Sequence, residues 1–137
     1  MKKDEQISYA KTVYGQDEVD AVVKCLSEST QMGHYSRKFE KKIADLFQKN
    51  YCLYVNSGSS ALYIGVEAFN FPKGSEVITP SLTFSTTVAP IYQLGLVPHF
   101  IGVEENKFLA DISQIKKCIN KKTVAIMIPN LLGNIPD

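Results

Sequence analysis

The sequence predicts an α/β fold in three layers: a mainly parallel sheet with helices on both faces. Two observations predict it. From residue 51 onward, short apolar runs alternate with helical patterns, as parallel strands joined by right-handed crossovers require. The last run, Thr123-Val124-Ala125-Ile126-Met127-Ile128, is apolar almost throughout, as a strand covered on both faces should be.

Residues 1–14 read as an arm or lead-in segment. Gly15-Gln16-Asp17-Glu18 starts a helix in which Val19, Val22, Val23 and Leu26 share one face. The polar stretch 27–31 ends it, and Gly33-His34-Tyr35 forms a loop. Ser36 is the expected cap of a second helix, with Phe39, Ile43, Leu46 and Phe47 at helical spacing. The pattern then changes. Residues 51–55 predict a buried strand, and 59–69 a helix. Residues 76–80 predict a strand, and 86 or 87 to 94 a helix. Pro90 fits only near the first turn, which favours a start at Thr87 or a kink. Residues 97–101 predict the third strand. Asp111 and Gln114 resemble a capping box opening a helix to about Ile119. Residues 123–128 predict the fourth strand.

Composition narrows the function classes. The 137 residues suffice for one compact domain and not two. A net charge of +1 provides no field for nucleic acid or an anionic membrane. Cys25, Cys52 and Cys118 form no Cys-x-x-Cys pair and suit a reduced, cytoplasmic protein with buried free thiols. His34 and His99 are the only histidines, and neither neighbours another ligand type, so no metal site is expected. The charged N-terminus leads into no apolar run, and no run approaches the ~20 residues of a membrane span.

The chemistry is expected in loops that follow strands, because ligands of such sheets bind outside the strand carboxyl ends. Three loops should converge there: 56–60, 81–85 and 129–136. The first, Asn56-Ser57-Gly58-Ser59-Ser60, turns an expected strand into a helix. Free N–H groups, the helix dipole and hydroxyls make a seat for a phosphate. A small-residue turn with a serine cap is the commoner use of such a stretch. The second loop places Phe84 among hydroxyls, as ordinary core or as a plate for a flat ring. The third, Asn130-Leu131-Leu132-Gly133-Asn134, offers two amides and a glycine turn. Together they suggest a phosphorylated planar cofactor. No Ser-His-Asp or Cys-His spacing and no paired carboxylates stand out. Asp111 reads as a cap and Glu104-Glu105 as solvated.

The ordered series of motifs resembles one family. It comprises Gly33, Phe39-Glu40, Asn56-Ser57-Gly58-Ser59-Ser60-Ala61-Leu62 and Gly74-Ser75-Glu76-Val77-Ile78-Thr79-Pro80. It continues with Thr83-Phe84-Ser85-Thr86, Gly95-Leu96-Val97-Pro98 and Asn130-Leu131-Leu132-Gly133-Asn134. From about Tyr14 to the end, the chain resembles the N-terminal part of DegT/StrS-type sugar aminotransferases, within the fold-type I pyridoxal phosphate enzymes. The Ser-Gly-Ser-Ser-Ala and Leu-Gly-Asn signatures resemble its CDP-4-keto-6-deoxyglucose 3-dehydrase branch.

The resemblance implies an incomplete aspartate aminotransferase-like large domain over 51–137, preceded by an arm and helices over 1–50. It implies pyridoxal 5'-phosphate, or pyridoxamine 5'-phosphate in the dehydrase branch. Ser57, Gly58 and Ser59 match the phosphate-holding residues, and Phe84 the aromatic stacked on the ring. Asn130 stands where many family aminotransferases carry histidine. Gly33 matches the loop near the sugar, with Gln31 where threonine is usual. The resemblance places the cofactor's lysine, or the histidine that replaces it, beyond residue 137, so no catalytic residue is assigned here. It implies a nucleotide-sugar substrate, glutamate as amino donor and a homodimer. Transamination leads, with C3 dehydration of a CDP-linked keto-sugar as the alternative. A non-catalytic fragment or pseudo-enzyme is the rival of another class.

Overall fold

The computed structural model describes residues 10–28, 31 and 33–136. Instead of the single compact domain expected from the length, it divides into two compact units, the first ending at Tyr54 and the second beginning at Val55. Residues 1–9 of the expected lead-in segment lie outside the described residues.

The first unit holds two helices. Helix α1, Gln16–Glu28, carries the expected apolar face of Val19, Val22, Val23 and Leu26, and all four stay exposed. Helix α2, His34–Leu46, starts two residues ahead of the expected cap. Gly33 is its N-cap and accepts from the Arg37 N–H at 3.0 Å, which leaves Ser36 inside the first turn. At the other end Gln48 adopts a left-handed φ of 52°. The Lys49 N–H returns to the Ala44 carbonyl at 2.8 Å, and this closes the helix.

The expected strand over 51–55 does not form. Tyr51 is 91% and Leu53 67% exposed. An apolar run becomes a strand only when another backbone accepts its ladder bonds, and no strand pairs with this one among the described residues. The Tyr54 N–H instead donates to Glu40 Oε1 at 2.9 Å.

The second unit is a three-layer α/β sandwich. Helix α3 spans Gly58–Glu67, strand β1 Glu76–Pro80, helix α4 Ser85–Gln93, strand β2 Val97–Ile101, helix α5 Ile112–Cys118 and strand β3 Thr123–Ile126. The sheet is parallel, in the order β2-β1-β3. Val77 packs with Ile91 of α4, Val66 of α3 and Leu96 on one face. Ile78 packs with Ile101, Ala110 and Ile115 of α5 on the other. The step from β1 to β2 runs one way across the sheet, and the step from β2 to β3 runs back over β1. Right-handed crossovers must therefore put α4 and α5 on opposite faces, and they do.

Two expectations need correcting. Helix α4 begins at Ser85, so Pro90 sits in its sixth position rather than its first turn. Its ring is buried, and the helix ends three residues later. Strand β3 is not covered on both faces: Val124 is 36% and Ile126 48% exposed. Helix α5 is seven residues long and lies on β2, so nothing described covers the outer side of β3.

The cap at Asp111 forms, with a variation. Asp111 Oδ1 accepts from Ser113 N at 2.9 Å and Gln114 N at 3.4 Å. The reciprocal half of the box is replaced. Gln114 Oε1 accepts from the Gly102 N–H at 2.8 Å, and Gln114 Nε2 donates to Asp111 Oδ2 at 2.8 Å. This amide ties the end of β2 to the start of α5. At the opposite sheet edge, Glu76 Oε2 accepts from Asn120 Nδ2 at 2.7 Å and meets His99 Nδ1 at 3.2 Å.

Both carboxyls are thereby held below the ordinary range. Hydrogen bonds from Ser113, then Gln114, lower Asp111; those from Asn120, then His99, lower Glu76. A carboxyl whose folded pKa lies below its unfolded value of about 4 stabilises fully above that value and loses this as pH falls through the folded one. The urea midpoint should therefore drop between about pH 5 and pH 3, and D111N together with E76Q should flatten that drop. Ile78 is fully buried, and I78A should cost about 2–5 kcal/mol by the same unfolding measurement.

Candidate functional site

The phosphate-seat turn is built by α3 itself. Ser57 is the N-cap, extended at φ −160° and ψ 159°. Its Oγ accepts from the Ser60 N–H at 3.1 Å and donates to Ser60 Oγ at 3.1 Å. The Ala61 N–H closes the first helical bond to the Ser57 carbonyl at 3.0 Å. The cap thus satisfies the third helical N–H and leaves those of Gly58 and Ser59 without an intrahelical acceptor. These two donors stand at the positive end of a ten-residue helix.

A methyl group added to Gly58 would meet nothing within 4 Å. The chain's own packing therefore does not require glycine there, and the space beside the two donors is open. Ser59, Ser60 and Tyr63 also line a shallow depression of about 480 Å³ with Gln93.

The second loop follows β1. Phe84 is the N-cap of α4, offers no side-chain cap and is 73% exposed. Among the described residues it does not pack in the core, the commoner role of such a residue. Thr83 Oγ1 bonds Thr87 Oγ1 at 2.9 Å and stiffens the turn beneath it. The third loop follows β3. Residues Leu131–Gly133 form a single 3-10 turn with Asn130 before it, and Leu132 is left-handed at φ 55°. Because β1 and β3 are adjacent and parallel, both loops leave the same edge of the sheet. The first loop reaches the unit differently from expectation. It follows an unpaired segment rather than a strand, and α3 is held by packing against α4. Asn130 is exposed. Gly33 belongs to the first unit, as the N-cap of α2.

The Gln114 amide bridge was not legible as such, since a Gln three residues after Asp suggests only a box. Nor was the Tyr54–Glu40 bond, which joins residues 14 positions apart.

The donor set suits a phosphorylated flat molecule: two free N–H groups, a hydroxyl cap, open space at Gly58 and an uncovered aromatic plate. Among the described residues no group of His, Cys, Asp and Glu could hold a metal ion, and no helix is long and apolar enough to cross a membrane.

Comparison with known proteins agrees with this chemistry. Residues 13–137 match the model of the DegT/DnrJ/EryC1/StrS aminotransferase family. The GDP-4-keto-6-deoxy-D-mannose 3-dehydratase of Yersinia pseudotuberculosis is 33% identical over 93% of this chain and 34% of its own length. The structure of the Escherichia coli GDP-4-keto-6-deoxy-D-mannose 3-dehydratase with bound hydrated PLP aligns with TM-score 0.80 at 31% identity, over 85% of this chain and 32% of the other. A Streptococcus pneumoniae protein described as a sugar aminotransferase, in its PLP form, shares the fold with TM-score 0.88 at 23% identity, over 96% of this chain and 34% of the other. The chain spans about a third of the length of these relatives.

Substitution separates the cap from the seat. S57A should cost about 0.5–2 kcal/mol in urea unfolding, as loss of a helix cap does. G58A should leave the midpoint unchanged or slightly higher, because alanine is the better helix former by up to about 1 kcal/mol. If the open space serves a phosphate, the same G58A chain should lose affinity for pyridoxal phosphate in a fluorescence titration.

Proposed function

The chain belongs to the DegT/DnrJ/EryC1/StrS aminotransferase family, and on that footing we propose that it is the cofactor-holding part of a pyridoxal phosphate enzyme. The substrate is a nucleotide-activated keto-sugar, the reaction transamination with glutamate as donor, and the setting surface-polysaccharide or deoxysugar synthesis in the cytoplasm. Residues 51–137 form the first part of the large domain and 1–50 an arm with helices; the whole enzyme works as a homodimer.

One observation carries this reading: the start of α3 leaves two N–H donors and an open Gly58 in the same unit as an uncovered Phe84. Ser57 orients the turn, and Gly58 and Ser59 donate to the phosphate. Each such bond to an anion is charge-assisted and gains from the helix dipole. Phe84 supplies a face for the ring, where offset or edge-on aromatic contact is favourable. Asn130 supplies a neutral amide at the ring's surroundings, and Gly33 lies on the sugar side. The bound cofactor supplies an electron sink, while these residues bind and orient it.

A second reading is C3 dehydration by the pyridoxamine form. The Leu132-Gly133-Asn134 signature favours it, as do the 3-dehydratases at 31% and 33% identity.

Titration of the purified chain with pyridoxal phosphate tests the shared part. Weak, non-covalent binding that inorganic phosphate displaces is expected. No change in absorbance or ring fluorescence at millimolar cofactor would sink the cofactor assignment and leave the non-catalytic rival. The two reactions separate by product when the complete reading frame carrying this sequence is supplied with a nucleotide-linked 4-keto-6-deoxy sugar and glutamate. A 4-amino sugar marks transamination; a 3-deoxy keto-sugar marks dehydration.

A further inference from the structure

Strand β3 carries one residue more than its neighbour needs. Thr123 stands opposite Glu76, but Ala125 stands opposite Val77 and Ile126 opposite Ile78. Val124 has no counterpart on β1. It is an extra residue in the ladder, a bulge, and bulges are rare between parallel strands. Contacts of two different kinds lie on either side of it.

Before the bulge they are polar. Asn120 Nδ2 donates to Glu76 Oε2 at 2.7 Å, and His99 Nδ1 meets the same oxygen at 3.2 Å. Asn120 also shapes the turn into β3. Its Oδ1 accepts from the Lys122 N–H at 2.8 Å, and its own N–H donates to Thr123 Oγ1 at 3.0 Å. The Glu76 N–H closes the clamp on the Lys122 carbonyl at 2.8 Å. After the bulge the contacts are apolar. Ala125 and Met127 pack with Val77, Ile91 and Leu96, and Ile128 with the Ile78 cluster on the other face. A slip of one residue there would turn each of these side chains to the wrong face.

The apolar contacts alone call for no extra residue. A straight ladder that keeps them puts Val124 opposite Glu76 and draws Thr123 back by one residue, about 3.3 Å. The clamp opposes that move, because it holds Lys122 and Thr123 at Glu76. Its bond to a carboxylate is charge-assisted, and the Glu76 side chain is only 19% exposed.

We propose that the Glu76–Asn120 clamp imposes the bulge, and that Val124 is the slack residue that lets the polar and the apolar anchor be satisfied together. The start of β3 then has two registers, and the clamp selects between them. The end of β3, from which the turn at Asn130 leaves the sheet, keeps one register in both. This device does not depend on the function proposed above.

The experiment uses two substitutions that keep side-chain shape. N120D sets a second carboxylate against Glu76, and like charges that close disfavour each other. Adding E76Q restores an amide–carboxylate bond with its direction reversed. Cross-strand NOEs should join residue 76 to Thr123 in the wild-type chain, to Val124 in N120D, and to Thr123 again in E76Q/N120D. Exchange of the Met127 amide, bonded to the Ile78 carbonyl at 2.8 Å, should stay within about threefold throughout. Contacts to Thr123 that persist in N120D, a double variant that does not restore them, or Met127 exchange faster by about tenfold each overturn the proposal.

Deletion of Val124 tests the slack residue without touching the clamp. It should leave Thr123 opposite Glu76 and Met127 exchange within about threefold. Deletion of Phe100 from the unbroken β1–β2 register should speed exchange of the Ser81 amide, bonded to the Ile101 carbonyl at 2.9 Å, by more than about tenfold. Comparable damage at Met127 from loss of Val124 overturns the slack role.

Discussion

The double ladder of β1 is the constraint on which the second unit depends. It is the one strand among those described with a parallel neighbour on each side. Val77, Ile78, Thr79 and Pro80 are all buried as a result. Alternation then sends Val77 toward α3 and α4 and Ile78 toward α5. The arrangement carries a cost: Thr79 Oγ1 is buried with no hydrogen-bond partner among the described residues. Such an atom loses its water without compensation, and the burial around it must offset that loss.

The same ladder makes the two edges of the sheet chemically different. Where the strands begin, Glu76, His99 and Asn120 satisfy one another. Where they end, the Asp111–Gln114 network holds the β2 side, and the turns after β1 and β3 carry exposed side chains. Phe84 caps α4 with no side-chain acceptor, and the turn after β3 exposes Leu132 in a left-handed conformation. A bulky residue at positive φ is strained, and strain persists only where its surroundings impose it. The turns after β1 and β3 lie at the edge where parallel sheets bind ligands.

Legibility in the sequence followed the range of the interactions. Helices α1 to α5 and all three strands were readable because period and cap chemistry are local. Ser57 and Asp111 act as caps because an Asx or Ser side chain needs only the next three residues. The failures involve partners that local pattern does not contain. Residues 51–55 have a strand's composition, but a strand is a relation between two segments. Strand β3 has the composition of a doubly covered strand and is covered on one side. Pro90 was expected near a first turn, yet it sits buried in the sixth position of α4. At the site, Ser57 to Ser60 were readable as a turn with spare donors. That Phe84 is uncovered, and that Glu40 holds Tyr54, came only with the coordinates.

Under the proposed function, the distribution of roles suits one scaffold to either of two reactions. The parts that hold a cofactor, backbone donors at a helix start and an aromatic plate, are indifferent to what the cofactor does next. Under the proposed function they would bind the phosphate and the ring, which stay constant through transamination and dehydration alike. Reaction choice must then rest on groups that move protons, and those need a titratable side chain near the reacting atoms. Asn130 stands where the resemblance expects histidine in many aminotransferases. An amide cannot change charge between pH 5 and 8 as an imidazole can. Its contact with the ring would orient without gating, and the proton chemistry falls to other residues.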